Sequence, residues 1–200
     1  CCYFSDKDKD VNQPAQKAFI NWDPAEGQES FTVQPMFQGN AVDFGMVIPT
    51  PARPKLDEMP REFFKLLAVF TILEPMPIDK YKSGPSLGLG MAMGGVSGGA
   101  WKRAEERQVR LLEQGIVGSL DYKIILAKNA SALYQWLDDH NYHYQGDEKT
   151  LDFYIRKGWF FTVMKIDPKQ MKQRADGTYS GEITPTRFTF ASSKLVYPLR

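Results

Sequence analysis

Residues 30–54 constrain the fold more than any other part of this chain: Ser-Phe-Thr-Val-Gln-Pro-Met-Phe-Gln-Gly-Asn-Ala-Val-Asp-Phe-Gly-Met-Val-Ile-Pro-Thr-Pro-Ala-Arg-Pro. Phe31, Val33, Pro35 and Phe37 fall on one side of a period-2 pattern, and Thr32, Gln34 and Gln38 on the other. That alternation predicts a half-buried strand. Gly39-Asn40 can reverse the chain, since both residues tolerate positive φ. A second apolar run, 42–48, ends at Pro49, Pro51 and Pro54. Proline has no N–H for a ladder, so the sheet is expected to stop there. The two runs read as a central hairpin with a stiff, extended exit, and they carry no catalytic constellation.

The strands and helices expected around this hairpin define the fold class. Residues 17–23 read as a strand turning through 24–27 into the hairpin. After the prolines a helix opens near Asp57 or Glu58, with Phe63, Leu67 and Phe70 at i, i+4, i+7. Phe64, Leu66 and Leu73 widen that stripe, so the helix is expected to bury against the sheet as core. Residues 109–113 and 122–127 read as strands. Asn129 or Ser131 caps a helix with Leu133, Trp136 and Leu137 inside and Asn141 as its stop. A short helix from Asp147 to Gly158 follows, then an aromatic strand at 159–166 and a turn at Asp176-Gly177. Residues 187–191 and 195–199 close as strands. The expected fold is α+β: a single domain over 1–200, a mostly antiparallel sheet packed by two or three helices, with the strands at 42–48 and 159–166 near its centre.

Several segments also match the pattern of a known family. The run Gly-Asn-Ala-Val-Asp-Phe-Gly-Met-Val-Ile-Pro-Thr-Pro after an apolar strand resembles the signature of the bacterial domain of unknown function 2330 family. Further matches are the opening Cys-Cys-Tyr-Phe with Gln13, the Leu133-x-x-Trp136-Leu137 helix before Asn141-Tyr142, and the closing Tyr197-Pro198-Leu199-Arg200. The resemblance implies a bacterial, exported protein, and it implies no activity; a start at Cys1 without methionine is expected from a removed signal peptide. In that family a cysteine sits close to the export cleavage site, and a second follows the aromatic pair. Here Ser5 follows Tyr3-Phe4, so the usual short disulfide is not expected. Relatives usually continue past the Tyr-Pro-Leu-Arg segment, often toward a membrane anchor, so a short form, a processed chain or an incomplete one is expected here. Cys1 is a candidate for lipid attachment; a free thiol or a strained Cys1–Cys2 bridge are the alternatives.

Bulk properties exclude several classes. At 42% hydrophobic and 24% charged the chain is neither disordered nor collagen-like. A net charge of +1 offers no field for nucleic acid or a membrane surface. There is no apolar run of about 18 residues, hence no transmembrane helix in this stretch. Two cysteines support neither a disulfide framework nor a zinc cluster.

Chemistry-bearing residue types are few. Asp6, Asp8 and Asp10 alternate like the start of a calcium loop, but Val11 and Lys17 stand where glycine and glutamate are required. The chain has two histidines, His140 and His143, which with Asp139 are weak metal-ligand candidates; the spacing offers no third histidine and no intervening glutamate. No Gly-x-Ser-x-Gly elbow supports a triad. Carboxylate pairs at Glu105-Glu106 and Asp138-Asp139 are adjacent and do not face each other on a helix. Asn129-Ala130-Ser131 matches a glycosylation acceptor, which carries little meaning in a bacterial protein. Trp22, Trp136, Tyr154, Trp159 and Phe160 could line a peptide or sugar groove, and at these spacings they also suit a core.

Residues 83–100 are the compositional anomaly, with seven glycines among Leu87, Leu89, Met91, Met93 and Val96. No Lys-Ser/Thr follows for a P-loop. The segment reads as a flexible surface loop or as an apolar segment that orders on a partner. The leading expectation is therefore a non-catalytic exported module that binds or scaffolds partners at the bacterial cell envelope, as an accessory subunit of a larger assembly. Its partner would be an envelope or membrane protein complex met through Leu87, Leu89, Met91, Met93 and Val96. The expected location is periplasmic or extracellular, with membrane contact only through a lipid on Cys1 or through the partner. No cofactor and no nucleic acid are expected. The competing readings are a metal-assisted hydrolase using His140, His143 and Asp139, and a peptide- or sugar-binding protein.

Overall fold

The computed structural model describes residues 2–5, 11–39, 44–72, 108–144, 148–166, 172–173, 175 and 179–197. Strand β1 (Cys2–Ser5) is followed by β2 (Val11–Asp23) and β3 (Gln28–Gly39), which form a long antiparallel hairpin. The turn between them is held by Asp23, whose Oδ1 accepts from the N–H groups of Ala25 (2.8 Å) and Glu26 (3.2 Å). Gly27 closes it at φ 59°, a backbone that favours glycine. Next come β4 (Phe44–Thr50), β5 (Lys55–Glu58) and helix α1 (Phe63–Phe70). A second hairpin joins β6 (Val109–Val117) to β7 (Leu120–Ala127) through Gly118, at φ 58°.

Helix α2 (Ala130–Asp139) starts where Asn129, in extended conformation, accepts from Ala132 N–H at 2.7 Å. It stops where Asn141 enters the left-handed region at φ 60° and Tyr142 N–H bonds back to Leu137 O at 2.7 Å. After β8 (His143–Tyr144) come α3 (Glu148–Arg156) and β9 (Phe160–Ile166). The described strands end with β10 (Lys172–Gln173), β11 (Tyr179–Glu182) and β12 (Thr186–Ala191).

Among the described residues these strands form two six-stranded sheets. The first runs β6-β7-β9-β4-β1-β8; the second runs β10-β11-β3-β12-β5, with β2 on the other edge of β3. Every pairing is antiparallel. The α+β class is as expected, and β4 and β9 lie side by side in the middle of the first sheet.

Strands β4 and β9 of the first sheet are buried on both faces, and period 2 decides which side chain goes where. Met46 and Ile48 of β4, Leu120 of β7, and Met164 and Ile166 of β9 point to one side. There they meet Phe31 and Val33 of β3 and Phe188 and Phe190 of β12. Val47, Ile125, Phe161 and Val163 point to the other side, against Leu133 and Leu137 of α2 and Leu151, Tyr154 and Ile155 of α3. The order of layers is thus helices α2 and α3, first sheet, second sheet. A strand covered on both faces needs apolar residues at every position, which is why β4 and β9 read as continuous runs. Phe31, Phe161 and Phe188 are fully buried, and truncating any of them to alanine should cost about 3–5 kcal/mol.

Four expectations are corrected. The runs at 30–38 and 42–48 do not form a hairpin: β3 pairs with β2, β11 and β12, whereas β4 pairs with β1 and β9 in the other sheet. Both runs are apolar because both face the layer between the sheets. Proline does not end β4, since Pro49 lies within the strand opposite Phe161. Among the described residues β1 covers only Gly45–Val47, so Pro49 lies beyond that neighbour, where a nitrogen facing the uncovered edge costs no ladder bond. Pro35 escapes the same penalty in the gap between β12, which pairs up to Val33, and β11, which pairs from Met36. Residues 195–197 form no strand; their contacts go to Glu29 and Phe31. The fourth correction concerns α1: residues 55–58 are strand β5 on β12, so the helix opens only at Phe63, and it is not buried as core.

Candidate interaction surface

Helix α1 reads Phe-Phe-Lys-Leu-Leu-Ala-Val-Phe, and none of its eight residues is buried. Its N-cap, Glu62, makes no side-chain capping bond, and the first turn is closed by Phe63 N–H on Pro60 O at 2.9 Å. At the other end Thr71 N–H bonds to Leu67 O (3.1 Å) and Ala68 O (3.2 Å). The helix touches the second sheet through Phe63, whose ring meets Phe19 of β2 edge-on at 6.0 Å and Phe64 at 5.1 Å. Beyond that contact, Leu66 is 58% exposed, Val69 65%, Phe70 85% and Ile72 65%. Lys65 is the lone charged residue of the helix and pairs with Glu62 at 2.8 Å.

This arrangement leaves large apolar side chains in water. A fully buried Leu, Val or Phe contributes about 1.5–3 kcal/mol that an exposed one does not. A helix of this length is marginal by itself and depends on tertiary contact. Scattered exposed apolar residues are ordinary, but Leu66, Val69 and Phe70 share one side of α1 at i, i+3, i+4 with Ile72 just beyond, a cluster of the kind that marks interaction sites. Phe19, 38% exposed, extends the patch onto β2.

A second feature lies where the segment after β12 folds back over the sheets. Glu29 sits on the core-facing side of β3, opposite Trp22 and Phe190, and is fully buried. Its Oε2 accepts from Val196 N–H at 2.8 Å, and its Oε1 has no hydrogen-bond partner among the described residues. Burial holds its carboxyl above the usual range, and the Val196 hydrogen bond offsets part of that rise. Trp22 Nε1 donates to Ser192 O at 3.0 Å and Gln16 Nε2 to Tyr197 Oη at 2.9 Å, so three side chains strap this segment down. Beside it a cleft of about 410 Å³ is lined by Pro51, Lys157, Trp159, Ser192, Lys194 and Val196. The Lys157 ammonium lies 4.2 Å from the Phe153 ring centroid and 5.7 Å from that of Trp159. The cleft is cationic and aromatic in character, without a nucleophile–base pair.

A third cluster links the chain after β4 to the β6–β7 hairpin. Glu113 receives hydrogen bonds from Arg53 (2.5 Å) and the Tyr122 hydroxyl (2.8 Å), and together they hold its carboxyl below the usual range. Burial and the neighbouring carboxylate push the Tyr122 phenol up. Tyr122 lies across Gly115, where a Cβ would stand 3.0 Å from the phenol oxygen. The arrangement clamps the chain after β4 to the second hairpin.

Comparison with known proteins bears on the whole chain. A family model described as an uncharacterized protein conserved in bacteria, DUF2330, matches residues 1–200. The chain belongs to this family. No curated protein and no solved structure matches it. The segment that resembles the family pattern includes the end of β3 and the length of β4, two strands that lie in different sheets.

The residues singled out in the sequence are dispersed in this DUF2330 chain. His140 is the C-cap of α2; its ring stacks on Trp136 at 4.0 Å, and its Nδ1 lies 2.7 Å from the Trp136 carbonyl oxygen. Asp139 Oδ1 accepts from Gln135 Nε2 at 2.8 Å. His143 lies on β8, opposite Ser5 of β1. Among the described residues no three metal-capable side chains converge. The aromatic residues form no common groove. Trp22 straps the chain end, Trp136 stacks on His140 and Tyr142, Tyr154 is core, and Trp159 alone among them lines the cleft. Cys1, Leu87, Leu89, Met91, Met93, Val96, Glu105, Glu106 and Asp176-Gly177 lie outside the described residues. Among the described residues no helix is long and apolar enough to cross a membrane.

Sequence reasoning missed the exposed face of α1 and the burial of Glu29. The signal for the first was present: seven of the eight α1 residues are apolar, so the helix has no polar face and something must cover it or leave it exposed. Glu29 lies one residue before the stretch read as a strand, and its odd position, shared with Phe31 and Val33, marks the core side.

Proposed function

We propose that this DUF2330 chain is a non-catalytic exported module that binds or scaffolds a protein partner at the bacterial cell envelope, with α1 as the docking surface. The observation that carries this reading is the exposure of Leu66, Val69 and Phe70 on a helix with no buried residue, and of Ile72 just beyond it. A partner groove lined with apolar side chains would bury that face in the helix-in-groove mode. Export is part of the same proposal and is supported by the family resemblance of the Cys-Cys-Tyr-Phe opening. The apolar run at 83–100 follows α1 in sequence and is the second candidate for partner contact.

The test compares the wild-type chain with a Leu66→Asp/Phe70→Asp variant for binding to envelope fractions of a bacterium that carries the gene. Loss of binding with an unchanged circular dichroism spectrum is expected. Equal binding by both chains would remove α1 from the interface, and deleting residues 87–96 would then ask the same of that segment. A second reading, a small anionic peptide or sugar acid in the Lys157–Trp159 cleft, is favoured by the cation and aromatic ring lining it. Quenching of tryptophan fluorescence by such ligands, abolished in Trp159→Phe, would support it. The engagement of His140 and Asp139 within α2 offers the hydrolase reading no support.

A further inference from the structure

Among the described residues the outer edge of β2 is unpaired, beside α1. β2 is a 13-residue strand that pairs with β3 along its length, and no described strand pairs with its other edge. Proteins usually blunt such an edge with charge, proline or a bulge. Here Pro14 and the register shift between Asn12 and Ala15 protect only the first residues. From Ala18 to Trp22 the strand reads Ala-Phe-Ile-Asn-Trp, without a charge. An uncharged strand edge of this length is a template for another strand.

We propose that the occupant is a second copy of this chain, paired antiparallel through β2 about a two-fold axis at Ile20. The charges define the register. With Ile20 opposite Ile20 of the second copy, Lys17 falls opposite Asp23, Ala18 opposite Trp22, and Phe19 opposite Asn21. Lys17 and Asp23 are both exposed and share the outer face of the sheet with Phe19, because Ala18 and Ile20 are opposite Val33 and Phe31 on the core side. A two-fold therefore places an opposite-charge pair at each end of the seam and uncharged residues between. Moving the axis by one residue loses both charge pairs. The two Phe19 rings then lie on the diagonal of the seam, about 7–8 Å apart, within reach of each other.

The consequence concerns α1. A two-fold relating antiparallel edges stands perpendicular to the sheet, so both copies keep the same face outward. Each Phe19 carries the Phe63 of its own α1, so the two helices stand on one face beside the seam. The pair would offer two apolar helices to a partner, and a second contact gains from effective concentration. The inference rests on the β2 edge and stands whether or not α1 has the partner proposed above.

Sedimentation velocity of the intact chain over a range of concentrations tests this. A reversible dimer is expected. Lys17→Asp sets two like-charge pairs across the seam and should raise the dissociation constant about tenfold. Because reversing Asp23 would also remove its turn bonds, register is checked by cross-linking instead. In a chain with Cys1 and Cys2 changed to Ser, Ile20→Cys should give an oxidised covalent dimer and Ala18→Cys should not. A monomer at every concentration overturns the proposal. Hydrogen exchange of the β2 amides then assigns the edge to the chain's own residues 73–107 if they are protected, or to a foreign strand if they are not. A dimer indifferent to Lys17→Asp, or one cross-linked at 18 and not at 20, also overturns it.

Discussion

Replacing Phe70 with alanine asks directly whether α1 is core. A phenylalanine side chain offers about 150–250 Å² to be buried. Phe70 is 85% exposed, so only about 25–40 Å² of that is shielded in the folded chain. At about 25 cal/mol per Å² the loss is about 0.6–1 kcal/mol, and the better helix propensity of alanine returns a few tenths. The net change should be below about 1 kcal/mol, against about 3–5 kcal/mol for Phe161→Ala, whose ring is fully buried between β4, β7 and the helices. The assay is urea unfolding at a concentration where the chain sediments as a monomer, with both midpoint and slope recorded. A loss above about 2 kcal/mol for Phe70→Ala would refute the reasoning. It would mean that Phe70 is covered in solution by another part of the same chain, and the docking surface would vanish with it.

Two further predictions concern buried polar groups. Glu29→Gln keeps an acceptor for Val196 N–H and removes the ionisation. Because burial raises the folded-state value above the ordinary 4.5, the folded chain holds this proton more tightly than the unfolded one. The wild type therefore keeps its full stability below pH 4.5 and loses it progressively as pH rises through the folded value. The variant should gain on the wild type between acidic and neutral pH, by about 1.4 kcal/mol for every tenfold by which the folded chain binds that proton more tightly. A difference in urea midpoint that does not vary with pH would remove Glu29 as the cause. Thr162 lies fully buried in β9 between Ile48 and Ile124, with no partner for its hydroxyl among the described residues. Thr162→Val replaces that hydroxyl with a methyl of the same shape and should raise stability by about 1 kcal/mol. An unchanged or lower melting temperature would point to a hydrogen bond for Oγ1 within the folded chain.

What the sequence determined by itself is what depends on near neighbours. Asn129 before an apolar helix, Asn141 after it and Gly158 at φ 69° are local solutions to orphan backbone groups, and each was legible. The 24–27 turn follows from residues within a few positions of one another. So does the central place of β4 and β9, because an unbroken apolar strand can exist only where both faces are covered. Periodicity states which side chains share a face; it does not state what that face meets. The runs at 30–38 and 42–48 both ask for burial, and adjacency in sequence suggested a hairpin. Only the assembled sheets send β3 to β12 and β4 to β9, across more than a hundred residues. Pro35 and Pro49 are tolerated for the same non-local reason: each sits where a neighbouring strand has ended. Glu29 becomes a buried carboxyl because Val196 closes over it from the far end of the chain. The apolar residues of α1 demanded a cover, and the described fold leaves Leu66, Val69 and Phe70 without one, because the two sheets and helices α2 and α3 already enclose each other.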